Sequence, residues 1–320
     1  MKVVALEVKN IGEDINLNKF EEFGEFESYV TSSPDQIAER CKDADVIIVN
    51  KLPINESTVG TLDNLKVVLI TATGFDNLDV PYLKSRGVKI CNVKGYSTDS
   101  VVQHTFALLF YVYEKLRAYD DFVKSGEYSR YDIFTYFDEP FFELKGKTWG
   151  IVGLGEIGRG VARIAEAFGC EVVYYSTSGN NNNQNYDQVD FDTLLRISDI
   201  ISIHAPLNEK SKGLFNAEAF KKMKKSAVLI NVGRGPIIVD RDLTDALKND
   251  EIAAAALDVL EKEPMSPDSP FLEISDSRKL FITPHIAWAT KEARERLMME
   301  TYLNLKAIVN DEPARNRLDL

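Results

Sequence analysis

Three observations predict an α/β chain built as two doubly wound parallel-sheet domains. Short apolar runs rich in Val and Ile alternate with amphipathic stretches along most of the 320 residues. The runs form two sets that part near Tyr96–Ser100. A glycine-rich turn follows the first run of the second set. Alternation of strand and helix, with strands apolar on both faces, is the pattern of parallel sheets covered on either side. The length suits two domains of ~150 residues each.

The first set of predicted strands is Val3–Val8, Val46–Val49, Val67–Thr71 and Val88–Cys91. The second is Thr148–Val152, Glu171–Tyr175, Ile200–His204, Ala227–Asn231, Ala253–Leu257 and Leu280–Thr283. Helix starts are signalled by Ser33-Pro34, Asn216 and Asp240, residues whose side chains satisfy the first N–H groups of a helix. A long helix is expected over Asp99–Ser125. After it, Tyr128 to Phe142 is polar but rich in aromatics. Such surface is costly to leave in water, so part of it packs either on a neighbouring subunit or back on its own chain as a flap. Asn180–Asn183 reads as a solvated loop.

Hydrophobic residues make up 44% and charged residues 28%, which allows a sizeable core, and the net charge is -12. That field argues against nucleic acid or an anionic membrane as partner. No apolar run reaches the ~18–20 residues of a membrane span, and the N-terminus reads as a strand rather than a signal peptide. Cys41, Cys91 and Cys170 are odd in number and lack metal-ligand spacing. They are expected to be buried free thiols in a reducing, cytoplasmic setting, with no metal bound.

Trp149-Gly150-Ile151-Val152 runs into Gly153-Leu154-Gly155-Glu156-Ile157-Gly158, and a helical pattern follows. Gly153 permits the tight turn, Gly155 lets a pyrophosphate approach the backbone, and Gly158 lets helix and strand pack closely. The anion meets the unpaired N–H groups and positive dipole end of the helix. The strand–turn–helix context makes this a dinucleotide site. At the end of the next strand stands Ser176, where a NAD site usually carries an acid, and neither Lys nor Arg follows through Asn185. NAD is the expected cofactor, because burying a 2′-phosphate without a cation is the costlier option; NADP stays open.

Three polar residues stand just beyond strands, where open α/β sheets hold their ligands. Arg234 lies between Gly233 and Gly235, Glu263 precedes Pro264, and His285 follows Pro284. An Arg fork can bind a carboxylate and polarise a carbonyl. A protonated His can deliver a proton while a hydride arrives, and a nearby Glu can orient it and favour its charged form. The set suits interconversion of a small 2-keto acid and its 2-hydroxy acid.

The chain resembles the D-isomer-specific 2-hydroxyacid dehydrogenase family. The likeness is carried by the glycine loop, Asn231-Val232-Gly233-Arg234-Gly235, Ala256 to Pro264 and Thr283-Pro284-His285, in order and spacing. It implies Arg234, Glu263 and His285 as the catalytic triad. It also implies Asp258 on the nicotinamide carboxamide, and a cofactor lining of His204-Ala205-Pro206 with Asn231-Val232-Gly233. It implies a final helix, around Thr290–Asn310, that returns to the first domain. The expected division is a flavodoxin-like substrate domain over 1–98 plus 290–320 and a Rossmann domain over 99–289. Homodimers are usual in the family.

Thr71 to Asn77 resembles the family loop that holds the substrate carboxylate, with Thr73, Gly74 and Phe75 as candidate donors. Asn50-Lys51, Lys94 to Thr98 and His285 to Thr290 are most similar to the glycerate dehydrogenase (hydroxypyruvate reductase) branch. D-lactate, hydroxyisocaproate-type acids and glyoxylate are the alternatives. Lys51 is a candidate for attracting the anion, and Trp288 is either a pocket wall or a packing residue of the last helix. Gln103-His104 stands where many relatives carry Glu-His, and His104 reads as a structural helix residue. The same fold also occurs in NAD-sensing corepressors, a binding rather than enzymatic reading that the short termini do not favour.

Overall fold

The structure is a computed structural model and describes residues 1–179 and 185–319. Asn180–Asn183 therefore lies outside the described residues. The chain forms two compact units, Met1–Ser97 with Ala289–Leu320, and Thr98–Trp288.

In the first unit, β1 (Lys2–Ala5), β2 (Glu25–Ser28), β3 (Val46–Val49), β4 (Val67–Ile70) and β5 (Lys89–Cys91) form a parallel sheet in the order β2-β1-β3-β4-β5. The central β3 and β4 are wholly buried, which is why they read as unbroken apolar runs. β2 was not foreseen. It is an edge strand of alternating charge with half-exposed residues, so it carries no apolar signal. β1 stops at Ala5 rather than reaching Val8, because the chain turns at Glu7 into a short 3₁₀ helix, Val8–Asn10. Ser33 and Gln36 form the anticipated capped start, with Gln36 Oε1 accepting from Ser33 N at 3.0 Å. The last helix, Lys291–Val309, is capped by Thr290 and belongs to this unit.

In the second unit, β6 (Thr148–Val152), β7 (Glu171–Tyr175), β8 (Asp187–Gln188), β9 (Ile200–Ile203), β10 (Val228–Asn231), β11 (Ala254–Leu257) and β12 (Leu280–Ile282) run parallel in the order β12-β11-β10-β9-β6-β7-β8. The two residues of β8 are exposed and polar, and this edge too was missed. Alternate strand residues feed two cores. Trp149, Ile151, Ile230 and Ala256 pack one face with helices Thr98–Tyr113 and Glu156–Ala167. Val152, Ile201, Leu229 and Leu257 pack the other with helices Phe191–Ile197, Ala217–Lys222 and Asp240–Lys248. The order reverses between β6 and β9, so a crevice opens beyond their carboxyl ends.

Two expectations need correction. The helix predicted over Asp99–Ser125 is two helices, Thr98–Tyr113 and Leu116–Lys124, parted by Lys115 in a left-handed conformation (φ 53°). Lys115 Nζ is tied 3.1 Å from Glu139 Oε2, which holds the break. Asp240 is not a cap: Val239 holds that position and Asp240 is the first helical residue. Asn216 does cap, accepting from Glu218 N and Ala219 N. Cys41, Cys91 and Cys170 are buried free thiols, and burial pushes them up to about 12, 11 and 11 respectively.

Candidate active site

The glycine loop leaves β6 at the point where the strand order reverses. Gly153 has φ +92°, and a Cβ there would lie 2.8 Å from Ala205 N, so both the conformation and the approach require glycine. A Cβ on Gly158 would lie 2.4 Å from Gly153 O, which is how helix and turn come together. Gly155 caps helix Glu156–Ala167, and nothing stands within 4 Å of the place its Cβ would occupy. That open cradle at the N-terminus of a twelve-residue helix fits a pyrophosphate. Leu154 is buried in the core and Ile157 packs on it, while Glu156 is exposed and pairs with Arg159.

His204, Ala205 and Pro206 follow β9 along the rim of this cradle. Trp149 Nε1 donates to Ser202 Oγ at 2.8 Å, and His204 Nε2 lies 2.9 Å from the same hydroxyl. Nδ1 of His204 is sealed from solvent and has no protein partner. The residue as a whole is only half-buried, yet burial of the ring pushes its pKa down to about 3. A neutral ring with an orphaned nitrogen beside the glycine turn is a group a bound ligand can satisfy. Ser176 is buried and turned into its own loop, with Gly179 N donating to its Oγ at 3.2 Å.

Arg234 follows β10 and is set by its neighbours. Asn231 is fully buried; its Oδ1 accepts from Gly233 N at 3.0 Å and its Nδ2 donates to Arg234 O at 2.9 Å. The Asn231 side chain, expected to line the cofactor, is thus spent on the turn, and Val232 is buried beside it. Gly235 has no room for a side chain: a Cβ would fall 1.9 Å from the Leu260 carbonyl. The Arg234 loop therefore lies directly on the loop that carries Glu263. Glu263 Oε1 accepts from Leu260 N at 2.9 Å, and Oε2 lies 2.6 Å from His285 Nδ1. Both oxygens are engaged and the carboxylate cannot swing.

His285 adopts φ +55°, a costly conformation for a side chain. Its N–H donates to Asp258 O at 2.8 Å. The Asp258 carboxylate, 1% exposed, accepts from Ile286 N, Ala287 N and Thr283 Oγ1 at 2.8, 2.8 and 2.6 Å. The resemblance assigns this carboxylate to a carboxamide; the structure gives it three bonds from the turn that bears His285. His104 Nε2 lies 3.0 Å from Thr283 Oγ1 and 3.6 Å from Asp258 Oδ1. Thr283 entered the sequence reading only as part of the Thr283-Pro284-His285 motif, with no role of its own, and its partner in this contact stands 179 positions earlier. Trp288 is half-buried and packs on the core of its unit.

In the first unit, Glu7 follows β1 and Asn50-Lys51-Leu52 follows β3, at the reversal of strand order. Glu7 Oε2 accepts from the N–H groups of Asn50, Lys51 and Leu52 at 2.9, 2.9 and 3.1 Å. Sequence reasoning passed over this acid because its partners lie more than forty residues away. Thr73 Oγ1 donates to Val93 O at 2.8 Å, Gly74 is half-buried and Phe75 is exposed. The Thr73 hydroxyl thus braces its loop, and its carbonyl accepts from Asn92 Nδ2 at 2.7 Å.

Residues 106–287 match the family model for the NAD binding domain of D-isomer specific 2-hydroxyacid dehydrogenase. The chain is similar to the glycerate dehydrogenase of Methylorubrum extorquens, 34% identical over 313 residues, which is 98% of this chain and 97% of that protein. It is similar to the hydroxypyruvate reductase of Blautia hydrogenotrophica, 36% identical over 320 residues and 98% of each chain. Among solved structures it resembles an acyclic imino acid reductase in complex with NADPH and D-Arg (TM-score 0.88, 30% identity, 99% and 100% of the two chains).

Proposed function

The chain belongs to the D-isomer specific 2-hydroxyacid dehydrogenase family, and from that premise we propose that it interconverts hydroxypyruvate, glyoxylate or a similar small 2-keto acid with the D-2-hydroxy acid. As a member it is an NAD(P)-dependent oxidoreductase acting on CH–OH groups. The observation that carries the proposal is the 2.6 Å pair of His285 and Glu263, with the Glu263 loop pressed directly against the loop that bears Arg234.

The nicotinamide, when bound, supplies or accepts the hydride. In reduction the Arg234 guanidinium binds the carboxylate and draws electron density onto the carbonyl oxygen. His285 gives its proton from Nε2 to that oxygen as C2 becomes tetrahedral, while Nδ1 stays bonded to Glu263. In oxidation the neutral ring takes the hydroxyl proton. Residues 99–289 bind the cofactor in this reading, through the glycine loop, Ser176, His204 to Pro206, the Asn231–Gly233 turn and Asp258. Residues 1–98 with 290–320 bind substrate, with Thr73, Gly74 and Phe75 offering backbone donors and Lys51 a cation; Trp288 helps to enclose it. NAD is the preferred cofactor, since neither Lys nor Arg follows Ser176 through Asn185.

The same reading makes the protein a cytoplasmic homodimer. Three buried free thiols suit a reducing compartment, and among the described residues no helix is long and apolar enough to cross a membrane. The exposed aromatics at Phe134, Phe137 and Phe142 suit cover by a second copy. A panel of 2-keto acids against NADH and NADPH oxidation tests the function. The highest kcat/KM is expected on hydroxypyruvate or glyoxylate with NADH; preference for a bulky or non-acidic carbonyl would overturn the substrate assignment.

A further inference from the structure

We propose that His104 and Thr283 are positioning residues for His285 and act through Asp258. The inference rests on His285 being the proton donor. Thr283 has one hydroxyl proton, and an ionised carboxylate can only accept, so the 2.6 Å contact with Asp258 Oδ1 spends that proton. Toward His104, at 3.0 Å, the Thr283 oxygen is then an acceptor. His104 donates from Nε2, which assigns the tautomer: the neutral ring carries its proton on Nε2. The result is a directed chain, His104 Nε2–H to Thr283 Oγ1–H to Asp258 Oδ1.

Asp258 is the hinge of this chain. Its side chain accepts from the N–H groups of Ile286 and Ala287, and its carbonyl accepts from His285 N. One residue thus grips the left-handed turn from both sides. A carboxylate this deeply buried is costly unless donors surround it. Without the hydroxyl and the imidazole behind it, the carboxylate would lose the bond that holds Oδ1 in place and would shift, loosening its grip on the two turn N–H groups. His285 would then leave the angle at which Glu263 meets it.

Thr283→Val removes the hydroxyl at almost constant shape, and Thr283→Ser restores it. The valine variant should lose kcat by on the order of ten-fold, as for one hydrogen bond to a charged group, and serine should recover most of the loss. Wild-type kcat in the valine variant overturns the proposal. The chain contains 3 histidines, so the imidazole nitrogens can be followed by NMR in the protein without cofactor. The His104 proton is expected on Nε2, and Thr283→Val should move the signals of both His104 and His285. A proton on Nδ1 of His104, or a change confined to His104, would refute the relay. If the wild-type protein reduces no 2-keto acid, the functional reading fails instead, and the NMR result still decides the relay.

Discussion

His285 Nδ1 and Glu263 Oε2 stand 2.6 Å apart, and the other Glu263 oxygen is held by Leu260 N at 2.9 Å. The pairing occupies Nδ1, so in the proposed mechanism Nε2 is the nitrogen left to exchange a proton with substrate. His285→Ala should lower kcat by about 10²–10⁴-fold, the range for loss of a general acid. Glu263→Gln keeps the shape but drops the charge, and should cost roughly 10-fold. Steady-state reduction of hydroxypyruvate reads both, and near wild-type turnover in the alanine variant would remove His285 from the mechanism.

Arg234 should not tolerate its conservative replacement. Its fork sits in a loop clamped by Asn231 and pressed against Leu260 through Gly235. Lysine offers a point charge without the planar pair of donors. Arg234→Lys is expected to raise KM for the keto acid and to lower kcat/KM by about 10²-fold, the order found on losing an oxyanion donor. A lysine variant within a few-fold of wild type would show that charge alone suffices.

Much of this site was legible in the sequence because its signals are local. The glycine loop announces itself within ten residues of one strand, and Arg234, Glu263 and His285 each stand in the loop that follows a strand. What escaped were partnerships between distant segments. Thr283 gains meaning only from His104, and Glu7 only from Asn50 to Leu52. The missed strands β2 and β8 are polar edges, where burial writes no apolar pattern. At the break, Lys115 pairs with Glu139, a distant segment again, and no Gly or Pro marks the position locally.

Ser176 should act as a selector between cofactors. Its hydroxyl accepts from Gly179 N and bears no charge, so it neither repels nor neutralises a 2′-phosphate. Ser176→Asp is expected to raise the NADH/NADPH ratio of kcat/KM by about ten-fold or more, given the cost of burying like charges together. An unchanged ratio would refute its role.

His204 supplies a pH signature. Its pKa falls from the ordinary 6.5 to about 3 because burial penalises the charged ring, whose Nδ1 is sealed from water. The unfolded chain therefore binds a proton that the folded protein refuses. The stability this group contributes is whole above pH 6.5 and is lost as pH falls toward 3. His204→Asn should flatten the fall in Tm between about pH 7 and pH 4.5. An identical fall in the variant and the wild type would mean that the buried ring carries none of it.

The aromatic segment gives the last prediction. Phe134 is 90% exposed, Phe137 71% and Phe142 62%, and nearby Tyr119, Phe122, Tyr136 and Phe141 line a groove of about 370 Å³. Surface of this kind is costly in water, and the segment is braced within its own unit by the Lys115–Glu139 pair. It is therefore held out as a preformed apolar face. Phe134→Asp with Phe137→Asp places two charges on it without touching the triad. The wild-type protein is expected to sediment as a dimer and the double variant as a monomer with Tm reduced. A monomeric wild type, or a double variant that stays dimeric, would show that this face does not join two copies.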